Sequence, residues 1–147
     1  MLNYIHEMLT PDILRVLMTM GHGDSVAIVD ANFPAASVAA ATCSKEPFEW
    51  PVDTLVALEA VLKHFPLDPY DPEIAPVQSM AVVDEPDAIP EVVAEAAPLF
   101  KNAGGFEAAL IERHAFYGLT KQCYAIIRTA EMRPYGNFIL RKGVVSV

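Results

Sequence analysis

From residue 10 the chain reads TPDILRVLMTMG, and Ile13, Leu14, Leu17 and Met20 fall on one side of a helix. Thr10 ahead of Pro11 and Asp12 supplies its start: a hydroxyl to accept from free amides, a proline tolerated at the first position, and an acid at the positive end of the dipole. Gly21 is the expected C-terminal cap. The pattern then changes. SVAIVD at 25–30 is a continuous run with β-branched residues, which is how a strand covered on both faces reads. ANFPAASVAAATC gives only a loop leading into a weakly determined segment. Helical spacing returns between Val52 and Phe65, where Leu55, Leu58, Leu62 and Phe65 stack along one side.

PLDPYDPEIAP breaks that regularity, since a segment so dense in proline and acid is a rigid connector or a site wall. PVQSMAVVD reads as a second strand and EVVAEAAPLFKNAGG as a helix that Pro98 should kink or shorten. FEAALIER fits a strand or a helix equally, and HAFYGLTKQ is short and mixed. CYAIIRTA and FILRKGVV read as strands on either side of the turn-like EMRPYGN. Strands alternating with helices imply a layered α/β fold, and no repeat or linker divides residues 1–147 into more than one domain.

Composition narrows the function classes. The hydrophobic fraction, 53%, is high for a soluble domain and points to subunit contacts, because no run approaches the roughly 18 apolar residues of a membrane span. Membrane is therefore not an expected partner. The N-terminal MLNYIHEMLT lacks the basic start and cleavage site of a secretion signal, so the cytoplasm is the expected location. A net charge of −9 without a Lys/Arg cluster argues against nucleic acid. Cys43 and Cys123 stand eighty positions apart and are expected as reduced thiols in or near the core. His6, His22, His64 and His114 show no metal-ligand spacing, and no phosphate-binding glycine loop is present, so neither metal nor cofactor is expected.

The candidate chemistry begins with GHGD at 21–24. His22, just after a helix end, either donates to the last free carbonyls or offers a proton-transferring imidazole that Gly21 and Gly23 leave open to a ligand. Asp30 either starts an Asx turn or, at the carboxyl end of a strand, accepts hydroxyls from a ligand. Tyr135, Gly136 and Asn137 read as a tight turn or as part of a site, and Arg113 and Tyr117, four apart, share one face of a short helix or are merely solvated. A histidine, a carboxylate, tyrosines, an arginine and an asparagine suit a polyhydroxylated ligand.

Taken together, GHGD at 21–24, DANFPA at 30–35, RHAFY at 113–117 and PYGNFILRKGV at 134–144 resemble the L-fucose mutarotase and D-ribose pyranase family, in matching order from about residue 8 to residue 145. GHGD, FPA, YGN and Arg113 are similar to the fucose branch; Asn32 departs from the histidine usual between DA and FP. The resemblance implies an α/β three-layer sandwich, a mixed sheet with helices on both faces. It implies that no cofactor is used and that a monosaccharide, L-fucose or a related aldose, is interconverted between its anomers. His22 becomes the catalytic residue, with Asp30, Arg113, Tyr117, Tyr135, Gly136 and Asn137 binding the sugar. LDPY at 67–70 resembles a further family segment and adds Asp68. The resemblance also implies a homo-oligomer, often a decamer, with sites near subunit boundaries. A non-catalytic sugar-binding or regulatory protein of the same fold is the alternative.

One difficulty stands out. Six extended residues span roughly 20 Å, too far for His22 and Asp30 to touch one sugar from opposite ends of the same strand. The favoured resolution is that they serve pockets on different subunits.

Overall fold

The computed structural model describes residues 2–145. Helix α1 (Pro11–Thr19) starts as expected, the Thr10 side chain accepting from the Ile13 amide. It does not end on a left-handed glycine. Met20 turns into extended backbone, and the Lys142 ammonium, 125 residues from Leu17, donates to the carbonyls of Leu17 and Met20 at 2.6 Å each. A cation at the negative end of the helix dipole thus replaces the expected Gly21 cap and takes the carbonyls proposed for His22.

Strand β1 (Ser25–Val29) follows, then a short helix α2 (Ala35–Ala39), the two-residue strand β2 (Phe48–Glu49) and helix α3 (Thr54–Leu62). Asp53 caps α3 by accepting from the Val56 amide. Strand β3 (Val77–Met80) leads to helix α4 (Glu91–Asn102), which runs through Pro98 rather than stopping at it. FEAALIER resolves as a strand, β4 (Ala109–Ile111), and RHAFYGLT as helix α5 (Arg113–Thr120), followed by β5 (Ala125–Arg128) and β6 (Phe138–Arg141).

The six strands form one mixed sheet in the order β2, β5, β1, β6, β3, β4. Five are parallel, and β6 is antiparallel to both of its neighbours, pairing Ala27 with Ile139 on one side and Gln78 with Ile139 on the other. Alternate strand residues feed two cores, as a doubly covered sheet requires. Val26, Ile28, Ile127, Phe138 and Leu140 pack with α1, α3 and α4. Ala27, Val29, Ile126 and Ile139 pack with Phe33, Val38 and Phe116 from the α2 and α5 side. The three-layer α/β expectation therefore holds. Cys123 is buried in this second core, whereas Cys43 is exposed, against the expectation that both thiols are internal. No helix among the described residues is long and apolar enough to cross a membrane.

Because β6 runs opposite to the rest, its N-terminal end lies beside the carboxyl ends of β1 and β3. Asn137, just before β6, therefore sits next to Asp30, just after β1. Arg113 opens α5 directly beyond β4, and β3 ends at Met80 at the same end of the sheet.

Candidate functional site

Asp30 and Asn137 are both only 4% exposed. The Asp30 amide donates to Asn137 Oδ1 at 2.9 Å, and Asn137 Nδ2 donates back to Asp30 Oδ2 at 2.8 Å. Asp30 Oδ1 also accepts from the Asn32 amide at 3.0 Å, so the Asx turn forms and the carboxylate is part of a site wall as well. Burial pushes the Asp30 carboxyl above the ordinary aspartate range, and nearby Glu131 adds to this, against the hydrogen bonds from Asn137, Asn32 and Phe33.

A cavity of about 310 Å³ opens above this pair, lined by Asp30, Asn32, Phe33, Met80, Val83, Arg113, Tyr117, Pro134, Tyr135 and Asn137. That volume lies at the small end of the range for small-molecule sites, and its place at the carboxyl ends of parallel strands is where α/β sheets bind ligands. The wall facing α5 is aromatic. Phe33 stacks on Tyr117 with ring centroids 5.3 Å apart, and the Arg113 guanidinium lies 5.8 Å from the centre of the Tyr117 ring. Arg113 and Tyr117 thus share one helical face, one of the two readings their spacing allowed. The Tyr135 hydroxyl accepts from the Val83 amide at 3.3 Å, and Tyr135 itself takes φ of +65°, a conformation uncommon for a residue with a side chain.

Gly136 does not line the cavity. A Cβ there would lie 2.8 Å from Glu131 Cγ and 3.3 Å from Thr54 Oγ1, so the glycine lets the chain pass close beneath the site and delivers Asn137.

His22 and Asp68 lie at the other end of the sheet. Gly21, His22, Gly23 and Asp24 form a tight turn closed by the Asp24 amide donating to the Gly21 carbonyl, with Gly23 at φ +84° as a type II turn needs at its third position. The Asp24 carboxylate accepts from the Gly21 amide at 2.7 Å, and His22 is left at the apex. Its side chain is 51% exposed, with Nε2 3.3 Å from Asp68 Oδ2 and the ring edge-on to Tyr70. Asp68 is buried beneath it and accepts from Arg141 Nε at 3.0 Å. Burial alone would raise the Asp68 carboxyl, but the Tyr70 amide, Arg141 and His22 outweigh it and hold the group below the ordinary range.

The fold therefore brings Asp30, Arg113, Tyr117, Tyr135 and Asn137 to one pocket and separates His22 and Asp68 from it by the length of β1. Sequence reasoning did not single out Phe33, Met80, Val83 and Pro134 as lining residues. Their apolar character marked them only as core or loop. Among the described residues no group of three or more histidines, cysteines or carboxylates is placed to hold a metal ion.

Fold and pocket define a three-layer α/β protein with a polar, aromatic-walled small-molecule site at a break in strand direction. Comparison with known proteins makes this specific: the chain belongs to the RbsD / FucU transport protein family, whose model matches residues 3–145. It is 38% identical to the fucose mutarotase of Homo sapiens over 148 aligned residues, covering 97% of this chain and 94% of that protein. It is 36% identical to the L-fucose mutarotase of Haemophilus influenzae, covering 100% and 99%. Among solved structures, that of the Streptococcus pneumoniae fucose mutarotase in complex with L-fucose superposes with a TM-score of 0.86 at 34% identity, covering 99% of this chain and 100% of that one.

Proposed function

We propose that this protein is an L-fucose mutarotase, an isomerase that interconverts the α and β anomers of L-fucose by opening and reclosing the pyranose ring. The reading rests chiefly on the buried Asp30–Asn137 pair at the base of a cavity shared with Arg113, Tyr117 and Tyr135, in a chain so similar to proteins of that name. In ring opening the anomeric hydroxyl loses its proton, the bond from the anomeric carbon to the ring oxygen breaks, and the ring oxygen gains a proton. Rotation about the bond next to the aldehyde and the reverse steps give the other anomer, with no net change in protons.

Asp30 and Asn137 hold sugar hydroxyls, the carboxylate accepting and the amide donating. Arg113 donates to sugar oxygens, and Tyr117 and Tyr135 supply a ring face or a phenolic donor. His22 shuttles the proton, since imidazole exchanges one near neutral pH, and the Asp68 carboxylate orients it. Such positioned acid–base catalysis is worth roughly 10²–10⁴ in rate.

His22 and this pocket meet only if a neighbouring copy delivers the histidine. The protein therefore works as a homo-oligomer in the cytoplasm, a decamer by analogy with its family, each pocket completed across a subunit boundary. What supports this is the exposed His22 apex beside Tyr70, itself 63% exposed, together with the apolar surplus of the chain. Saturation-transfer NMR on equilibrated L-fucose tests the reading. Addition of the protein should accelerate transfer between the two anomeric signals, and His22→Ala should abolish the acceleration. Anomer-selective binding without faster exchange would make the chain a non-catalytic sugar-binding or regulatory protein instead.

A further inference from the structure

Glu131 lies just outside the pocket, 4% exposed, with both carboxylate oxygens and its backbone hydrogen-bonded. Its Oε1 accepts from the Arg133 amide and from Arg133 Nε, and its Oε2 accepts from Arg133 Nη2, all at 3.0 Å. Arg133 is anchored in turn to Glu95 of α4 at 2.9 Å. The Glu131 carbonyl accepts from the Ala31 amide at 2.8 Å, next to Asp30, and its amide donates to Thr129 Oγ1. Its Cγ lies where a side chain on Gly136 would stand.

We infer that Glu131 is a positioning residue for the pocket: its carboxylate, through Arg133, braces the turn that leads to Tyr135 and Asn137, at the point where its own carbonyl ties that turn to the loop carrying Asp30, and it touches no ligand itself. The inference rests on the function proposed above. Tyr135 holds an unfavourable positive φ, and beside Glu131 the segment is fixed by the Val83 amide on the Tyr135 hydroxyl, by Thr54 Oγ1 donating to the Gly136 carbonyl at 3.2 Å and by the packing of Gly136. The bidentate fork also needs both carboxylate oxygens, which an amide does not supply.

A second consequence is electrostatic. The groups facing Asp30 are the Asn137 side chain, the Asn32 and Phe33 amides and the Glu131 carboxylate, with Arg113, Tyr117 and Tyr135 around the same cavity. Removing the Glu131 charge takes away a like-charged neighbour and lets Asp30 ionise at lower pH.

Glu131→Gln in the full-length protein tests this, with Val16→Ala as a control that weakens the α1 core away from the pocket. We expect Glu131→Gln to lower L-fucose exchange roughly 10- to 100-fold, as small misplacements at a site do, at a thermal stability matched by the control. Carboxyl ¹³C NMR should move the Asp30 titration to lower pH than in the wild type, with the control unmoved. Equal exchange losses in the two variants at matched stability, or an unmoved Asp30 titration, would overturn the inference. If the wild type accelerates no exchange, the proposed function fails, while the backbone amide NMR shifts of Tyr135 and Asn137, displaced in Glu131→Gln and unmoved in the control, still decide the positioning role.

Discussion

Asp30 and Asn137, 107 residues apart in sequence, exchange a pair of hydrogen bonds that joins the end of β1 to the start of the antiparallel β6. Each is the other's principal polar partner in a buried setting, so neither tolerates a change of hydrogen-bonding character. Asn137→Asp removes the Nδ2 donor and sets two carboxylates against each other. It should cost on the order of 1–3 kcal/mol of stability at neutral pH and eliminate L-fucose binding. Denaturant unfolding and NMR titration with the sugar check this, and a variant as stable as the wild type would show that the pair is not coupled.

The proposed sharing of the pocket between subunits has a complementation test. His22→Ala and Asp30→Ala proteins should each be inactive in anomer exchange. His22 is half exposed at a turn apex, and without it Asp68 keeps its bonds from Arg141 and the Tyr70 amide, so the first should stay within about 1 kcal/mol of wild-type stability. Co-expressed and purified together, the two chains should recover a fraction of wild-type exchange, because some boundaries then join an intact His22 to an intact Asp30. No recovery in a mixed assembly would place both residues in the service of separate chemistry.

Acid should act on the buried carboxylates in opposite senses. Asp68 and Glu131 titrate below their ordinary values in the folded state, so each contributes stability that is complete above those values and lost as pH falls through the lowered one. Asp30 titrates above its ordinary value, so its contribution is present below the unfolded pKa and lost as pH rises through the folded one. Asp68→Asn should accordingly flatten the loss of stability with acidification, read as unfolding midpoint against pH from about 2 to 5. If ionised Asp30 holds the sugar as proposed, binding of L-fucose should weaken on acidification at a pH above the ordinary aspartate value of about 3.9. Profiles for Asp68→Asn that run parallel to the wild type would remove Asp68 from the acid response.

Two glycines should respond oppositely to alanine. At Gly143 a Cβ would lie 2.5 Å from the Leu67 carbonyl oxygen, a backbone atom that cannot swing away, so Gly143→Ala should destabilise by about 1–3 kcal/mol. At Gly118, exposed within α5, a Cβ meets nothing within 4 Å, and alanine should stabilise by up to roughly 1 kcal/mol through helix propensity. Thermal unfolding of the two variants checks both signs.

The long elements were legible because burial on one or both faces imposes a period on the sequence, as in α1, β1 and β6. α2 and β2, five and two residues long, are too short to carry one, and the tertiary contacts that define them are not local. The same holds for the site. Asp30, Arg113, Tyr117, Tyr135 and Asn137 stood out by type and motif, but their grouping without His22 and Asp68 follows from the reversed direction of β6, which no local pattern encodes. Glu131 had no signal: an acid in a turn-like segment reads as solvated, and only its burial against Arg133 distinguishes it.

The reversed strand also orders events in time. β6 is the last element of the described chain and sits between β1 and β3, with Lys142 just beyond it sealing α1. Until residues 138–142 have left the ribosome, β1 and β3 each present an unpaired edge, and the Asp30 side of the pocket has no Asn137 to meet. From the emergence of β3 to that of β6 the nascent chain therefore carries two open sheet edges, and the sheet and the pocket become complete in the same closing step.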